Sequence, residues 1–324
     1  MGQMIGMRKS LRARILKPVP SNPFVWVSVA AVGFLMSCGR AEFQTALEPN
    51  RNAGRRLGVL PFSLDRGLPF VELTIQGHRV ELLLDTGLEA FPLILEPDVV
   101  ERLTVNPAGI SRGYRTVYGT RRWVRLSRIP SIQLGSIEYR NITVVMDRFP
   151  SPVKRGKGVL GRKFFDPFAV LFDYRNRRVL LFNPQTGPPD SLPGPWKPWP
   201  LRRDGSTRGR LGGVDRSLRL AFDTGSSFIV DGIGYSVMVN RKVLPLFESM
   251  AASRVMLDGK SIPAIRGACI EASPGSGALC DLNFLLQAYP LPDRWDVLLG
   301  YDFFSKYLVY IQAKENRAWV KPLD

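Results

Sequence analysis

Val80-Glu81-Leu82-Leu83-Leu84-Asp85-Thr86-Gly87 and Ser217-Leu218-Arg219-Leu220-Ala221-Phe222-Asp223-Thr224-Gly225 are two versions of one pattern, an apolar run that ends in Asp-Thr-Gly. Further landmarks repeat at nearly the same offset. Gly161 follows Asp85 by 76 residues, in Val159-Leu160-Gly161-Arg162-Lys163-Phe164-Phe165. Gly300 follows Asp223 by 77 residues, in Leu298-Leu299-Gly300-Tyr301-Asp302-Phe303-Phe304. Each is followed by a hairpin pattern: Val170-Leu171-Phe172-Asp173-Tyr174 then Val179-Leu180-Leu181-Phe182, and Leu308-Val309-Tyr310-Ile311 then Ala318-Trp319-Val320. Short apolar runs alternate with Gly, Asn and Asp turns, and little has helical period. The chain therefore reads as a duplicated, β-rich unit of roughly 130 residues.

The repeated Asp-Thr-Gly has a chemical use. A glycine after Asp-Thr permits a tight turn and close approach of another backbone. Two such turns meeting about a pseudo-two-fold axis would set Asp85 beside Asp223. Like charges that close cannot both ionise, so the pair would share a proton. One carboxyl could then act as base on a water while the other donates to a carbonyl oxygen. A single Asp-Thr-Gly is a weak signal, because Asp commonly turns a chain. Two, each with a distant partner motif, are a strong one.

On these residues the chain resembles the aspartic peptidases. Each half is similar to the retropepsin unit, and their fusion to the two-lobed pepsin arrangement, over most of residues 57–323. The resemblance implies an all-β, bilobal pepsin-like acid-protease fold built from two retropepsin-like β-barrel lobes. It implies catalytic Asp85 and Asp223, supported by Thr86, Gly87, Thr224, Gly225 and Ser226. Thr86 and Thr224 would each hydrogen-bond to the opposite loop. Val159-Leu160-Gly161 and Leu298-Leu299-Gly300 would pack beneath the two loops. Tyr118-Gly119-Thr120 resembles the tip of the pepsin flap, which makes Tyr118 and Gly119 the candidate flap residues. One departure stands out: Leu88-Glu89 follows the first Asp-Thr-Gly, where the family has a small residue such as Ala or Ser. Leu88 there could tighten the cleft or change the polarity around Asp85. Glu89 could contact substrate backbone or face water.

The N-terminus reads as an export signal. Arg8, Lys9, Arg12, Arg14 and Lys17 precede the apolar run Phe24 to Met36, and no acid occurs before Glu42. Those 13 residues would rise about 20 Å as a helix, short of a hydrocarbon core of about 30 Å. The length suits a signal-peptide apolar region. Leu35-Met36-Ser37-Cys38 resembles the bacterial lipobox, which implies cleavage before Cys38 and lipid on its thiol. Export to an oxidising space then leaves Cys269 and Cys280 either as a local disulfide, the expectation, or as two thiols. The resulting division is a signal peptide over 1–37, a tether over 38–56, an N-terminal lobe over 57–184, a Pro-rich linker over 185–207 and a C-terminal lobe over 208–324.

The net charge is +17, with basic residues scattered rather than gathered on a helix or interleaved with aromatics. No nucleic-acid partner is expected. Gly156-Lys157-Gly158-Val159-Leu160-Gly161 matches a dinucleotide fingerprint by letter, but that motif needs a preceding strand and a following helix, whereas the approach here is Pro152-Val153-Lys154-Arg155 and Pro167 soon breaks any helix. A lone histidine, His78, argues against a Ser-His-Asp triad and against histidine-rich zinc sites. Trp196 and Trp199 are expected to pack against a lobe. The reading is an endopeptidase at the bacterial envelope, facing the periplasm or exterior, acting through water with no metal or cofactor. Its partners would be a peptide or protein substrate and, through Cys38, a membrane; it would be a monomer. The rival is a non-catalytic peptide binder or scaffold of the same fold, and a third reading is a single-lobe enzyme that dimerises.

Overall fold

The computed structural model describes residues 55–115, 121–134, 137–147, 155–184, 187–192, 194–212, 214, 216–238, 240–257, 259–272, 277–287 and 295–323. Cys38, the 1–37 segment, most of the tether, and Tyr118 and Gly119 lie outside them.

The strands arise where apolar and polar residues alternate, and where an apolar run is buried on both faces. In Leu68–Ile75, Val71, Leu73 and Ile75 enter the core while Glu72 and Thr74 face water. In His78–Asp85 the last four residues are all buried. There Leu82 and Leu84 join the main core, whereas Leu83 joins a second cluster with Leu68, Phe70 and Val159. A strand covered on both sides must be a continuous apolar run, which is why Leu82-Leu83-Leu84 precedes Asp85.

Six strands close the first barrel: Leu68–Ile75, His78–Asp85, Gly158–Gly161, Leu93–Leu95, Ile137–Met146 and Arg121–Leu134, which returns to pair with the first. Six strands close the second in the same order: Ser206–Leu211, Ser217–Phe222, Val297–Leu299, Ile233–Met238, Leu279–Leu286 and Lys260–Glu271. Closure removes most of the exposed sheet edges. The two barrels are related element by element, so the duplication read from a few landmarks extends to the whole of both lobes.

A further run of strands joins the lobes: Lys197–Pro200, Arg317–Pro322, Tyr307–Gln312, Ala169–Asp173, Arg178–Phe182 and Arg56–Asp65. At its centre Leu171 pairs with Tyr310, its own counterpart 139 residues on. Val170 pairs with Ile311 and Phe172 with Val309, so the register is reciprocal about that pair. The pseudo-two-fold axis therefore passes through Leu171 and Tyr310. Val170, Phe172, Val309 and Ile311 belong to a core cluster that runs through both lobes. Leu171 and Tyr310 form a separate cluster on the other face, against which Leu192, Trp196 and Trp319 pack.

The stretch expected as a linker contributes structure of its own. Lys197–Pro200 is a strand paired with Arg317–Pro322, and Ser206–Leu211 begins within the same stretch. Pro198 and Pro200 sit in the edge strand of the joining sheet, where a missing N–H is tolerated. Trp199 is fully buried against Phe222 and Phe303, and Trp196 packs on Tyr310. Cys269 and Cys280 are joined by a disulfide between Lys260–Glu271 and Leu279–Leu286. Gly158–Gly161 is a barrel strand followed by a single 3₁₀ turn, Arg162–Phe165, not by the helix of a nucleotide-binding unit.

Candidate active site

The two Asp-Thr-Gly loops are built alike. His78–Asp85 runs parallel to Gly158–Gly161, with Asp85 opposite Gly161. Ser217–Phe222 runs parallel to Val297–Leu299, and the Asp223 N–H donates to the Leu299 carbonyl at 3.0 Å. Each loop then passes over the glycine that ends the neighbouring strand. A Cβ on Gly161 would lie 2.3 Å from the Phe91 carbonyl oxygen, and one on Gly300 would lie 2.2 Å from that of Ser226. Only glycine lets the two backbones approach this closely.

The loops are held together by four crossed hydrogen bonds. Thr224 Oγ1 accepts the Thr86 N–H at 3.0 Å and donates to the Leu84 carbonyl at 2.9 Å. Thr86 Oγ1 accepts the Thr224 N–H at 3.0 Å and donates to the Phe222 carbonyl at 2.9 Å. Both threonines are buried. Each hydroxyl thus spends its proton and a lone pair on the other lobe, which sets both aspartates in one register.

Asp85 and Asp223 meet across this lattice, both buried and each close enough to shift the other's titration. Gly87 makes the approach possible: a Cβ there would lie 2.7 Å from Asp223 Oδ1. Asp85 Oδ1 accepts the Leu88 N–H at 3.2 Å and Asp223 Oδ1 the Gly225 N–H at 3.1 Å. Asp85 Oδ2 is buried and meets no protein donor while both groups are ionised. Burial pushes the Asp85 carboxyl up to about 6, against the opposing pull of Asp223 and the Leu88 and Gly87 N–H groups. Burial and then the neighbouring Asp85 push Asp223 well above the carboxylate range. The pair therefore holds a proton where two isolated aspartates would hold none.

Residues 71–164 match the aspartyl protease family model. No curated protein matches the chain. Among solved structures, the aspartic proteinase from Irpex lacteus superposes with a TM-score of 0.59 at 10% sequence identity, covering 82% of this chain and 97% of that one. The fold is pepsin-like.

Within the pepsin-like frame, the other candidate residues fall as follows. Thr86, Gly87, Thr224 and Gly225 all lie in the dyad lattice. Ser226 is fully buried, and its Oγ has no hydrogen-bond partner. Leu88 occupies the equivalent position of the first lobe. Its side chain lies in the apolar cluster of Phe70, Leu83, Phe91 and Val159, so it neither narrows a cleft nor faces water. Glu89 pairs with Arg162 at 3.5 Å. Strands Asn106–Arg115 and Arg121–Leu134 pair as a hairpin up to Arg115 and Arg121, and the tip expected to carry Tyr118 and Gly119 lies beyond the described residues. His78 is exposed and opens the strand His78–Asp85, paired with Ile75 across the Gln76-Gly77 turn that was expected to contain it. Among the described residues no group of three or more His, Cys, Asp or Glu is arranged to hold a metal ion.

Two contacts were not visible in sequence. Tyr174 is buried, with its hydroxyl 3.5 Å from the Thr224 carbonyl. Burial, and next Asp223, push that hydroxyl well above its ordinary range. Ser227 Oγ donates to the Arg66 carbonyl at 2.6 Å, from one lobe to the other. Aligning the two halves would have singled out both, since Tyr174 matches Ala313 and Ser227 matches Glu89.

Proposed function

We propose that the chain is an aspartic endopeptidase, tethered at the bacterial envelope through lipid on Cys38, with Asp85 and Asp223 as its catalytic residues. One observation carries the reading: two buried, neighbouring carboxyls sit where duplicated Asp-Thr-Gly loops cross. With one proton between them, the ionised carboxyl takes a proton from water as the water attacks the peptide carbonyl carbon. The protonated carboxyl gives its proton to the carbonyl oxygen. The tetrahedral intermediate then collapses: the carboxyl that took the water's proton passes it to the nitrogen, the C–N bond breaks, and the other carboxylate takes back a proton from a hydroxyl of the gem-diol, which restores the singly protonated pair. The buried setting strengthens both transfers, because charge is poorly screened there. No covalent intermediate is needed, so no serine or cysteine nucleophile has to be supplied.

The test is incubation of the mature protein with a diverse peptide library from acidic to neutral pH. Cleavage should fall on the order of a thousandfold or more in both Asp85→Asn and Asp223→Asn. Peptide binding without cleavage by the parent would instead mark the chain as a peptide binder of this fold. Activity retained by Asp223→Asn would point to a one-lobe enzyme. Mass spectrometry of the mature N-terminus tests the anchor: the expected product starts at Cys38 and carries acyl mass.

A further inference from the structure

Each lobe sends a hairpin turn to the other lobe, and the two crossings are chemically unlike. In one, the Arg66 carbonyl of the first lobe accepts the Ser227 hydroxyl of the second. In the other, the Asp204 carbonyl of the second lobe accepts Arg162 Nη1 of the first at 2.8 Å. The positions correspond under the duplication: Arg66 with Asp204, Glu89 with Ser227, and Arg162 with Tyr301. A neutral hydroxyl contact on one side is thus replaced by a charged one on the other, in which Arg162 also pairs with Glu89 at 3.5 Å.

Arg162 connects this crossing to the dyad. Its backbone N–H donates to the Leu88 carbonyl at 2.9 Å, and the Leu88 N–H donates to Asp85 Oδ1 at 3.2 Å. Its side chain is about four-fifths buried, and Nε is buried without an acceptor. The turn it meets has no room for a side chain, since a Cβ on Gly205 would lie 1.4 Å from Nη1. Glu89 and Asp166 face this guanidinium as acids, with Lys163 and then Arg112 as the nearby cations.

We infer that Arg162 is a positioning residue: it latches the Asp85 loop to the second lobe's Asp204–Gly205 turn, and this fixes where the Asp85 carboxyl sits relative to Asp223. The latch rests on the aspartic peptidase reading for its kinetic consequence but not for its structural one.

The test compares Arg162→Met, Arg162→Lys and Gly205→Ala in the full chain. Two readouts are used: kcat and KM on a cleaved peptide, and the carbon-13 NMR titration of the Asp85 carboxyl. Arg162→Met should lower kcat by about tenfold or more with KM changed less than about threefold, as expected when reacting groups are displaced by a fraction of an ångström. The Asp85 titration should move down toward the ordinary carboxyl range as water reaches the loosened loop. Burial, Asp223 and two backbone N–H groups set that titration, so loss of the Arg162 charge alone does not explain a shift. Arg162→Lys should recover part of both effects. Gly205→Ala reaches the same contact from the other lobe and decides the matter if Arg162→Met does not fold. Parent-like kcat and Asp85 titration in either folded variant would overturn the latch. A parent that cleaves nothing overturns the enzyme reading, and the NMR titration then still decides the latch.

Discussion

Asp85 and Asp223 differ from surface aspartates in one respect, burial beside a like charge, and two measurable consequences follow. The first is kinetic. In the proposed mechanism the singly protonated pair is the working form. It begins to dominate as pH rises through about 6, the value to which Asp85 is pushed, because Asp223 stays protonated well beyond that. Below this point both carboxyls are protonated and no base remains. The kcat profile should therefore fall on acidification through about pH 6, with an optimum in the weakly acidic to neutral range; an optimum below pH 4 would contradict it. The second is thermodynamic. A carboxyl raised in the folded state favours folding when protonated. Its contribution is fully present below the unfolded value of 3.8 and is lost as pH climbs through about 6. For Asp85 that loss is ~3 kcal/mol at neutral pH, from a shift of about two units. Asp85→Asn should accordingly raise the melting temperature at pH 7 while abolishing cleavage, and calorimetry across pH 4 to 8 would show it. Thr86→Val removes two of the four crossed bonds and leaves the Thr224 N–H and the Phe222 carbonyl buried without partners. Chemical denaturation should register a loss of ~2–6 kcal/mol, at ~1–3 for each of the two stranded groups, with a lower kcat.

At the scale of elements, the site is made by strand ends rather than by loops free to move. Each aspartate ends or follows a strand buried on both faces and runs beside a short parallel partner that stops in glycine. The prediction that belongs here concerns Gly300. Alanine at Gly300 would place a methyl group 2.2 Å from the Ser226 carbonyl oxygen, and backbone must shift to accommodate it. Overpacking of this kind costs about 1–3 kcal/mol, so the melting temperature should drop by several degrees. The shift falls within the Asp223 loop, so kcat should fall more than KM rises. The same elements were legible in sequence for a plain reason. Continuous apolar runs ending in Asp-Thr-Gly, and apolar-apolar-Gly some 76 residues later, have few other physical uses. The strand Lys197–Pro200 was not legible, because its prolines carry linker composition while its edge position tolerates them.

At the scale of the molecule, the sheet that joins the lobes makes them one unit. Its central pair, Leu171 and Tyr310, lies on the axis that relates the two halves, and one apolar cluster runs through both barrels. A fragment of residues 55–184 would expose the edge of Ala169–Asp173 and the apolar face that now meets the second lobe. It should aggregate or unfold without a cooperative transition, whereas the intact chain should show one calorimetric transition for both lobes. Two separate transitions would show that the lobes fold independently.

The sequence alone determined that the chain is a duplicated β-rich unit and which two acids end its matched strands, because both facts are carried by local patterns that repeat at one offset. It also raised a doubt it had no means to resolve, since Leu88 beside Asp85 could tighten the cleft or change the polarity around that carboxyl. Tertiary structure decided that point by turning the side chain into the cluster of Phe70 and Val159. It alone brought together Ser227 with Arg66 and Arg162 with Asp204, pairs separated by 161 and 42 residues. Such contacts depend on how two barrels are set against each other. That setting is fixed by packing summed over the whole joining sheet, which no short stretch of chain encodes.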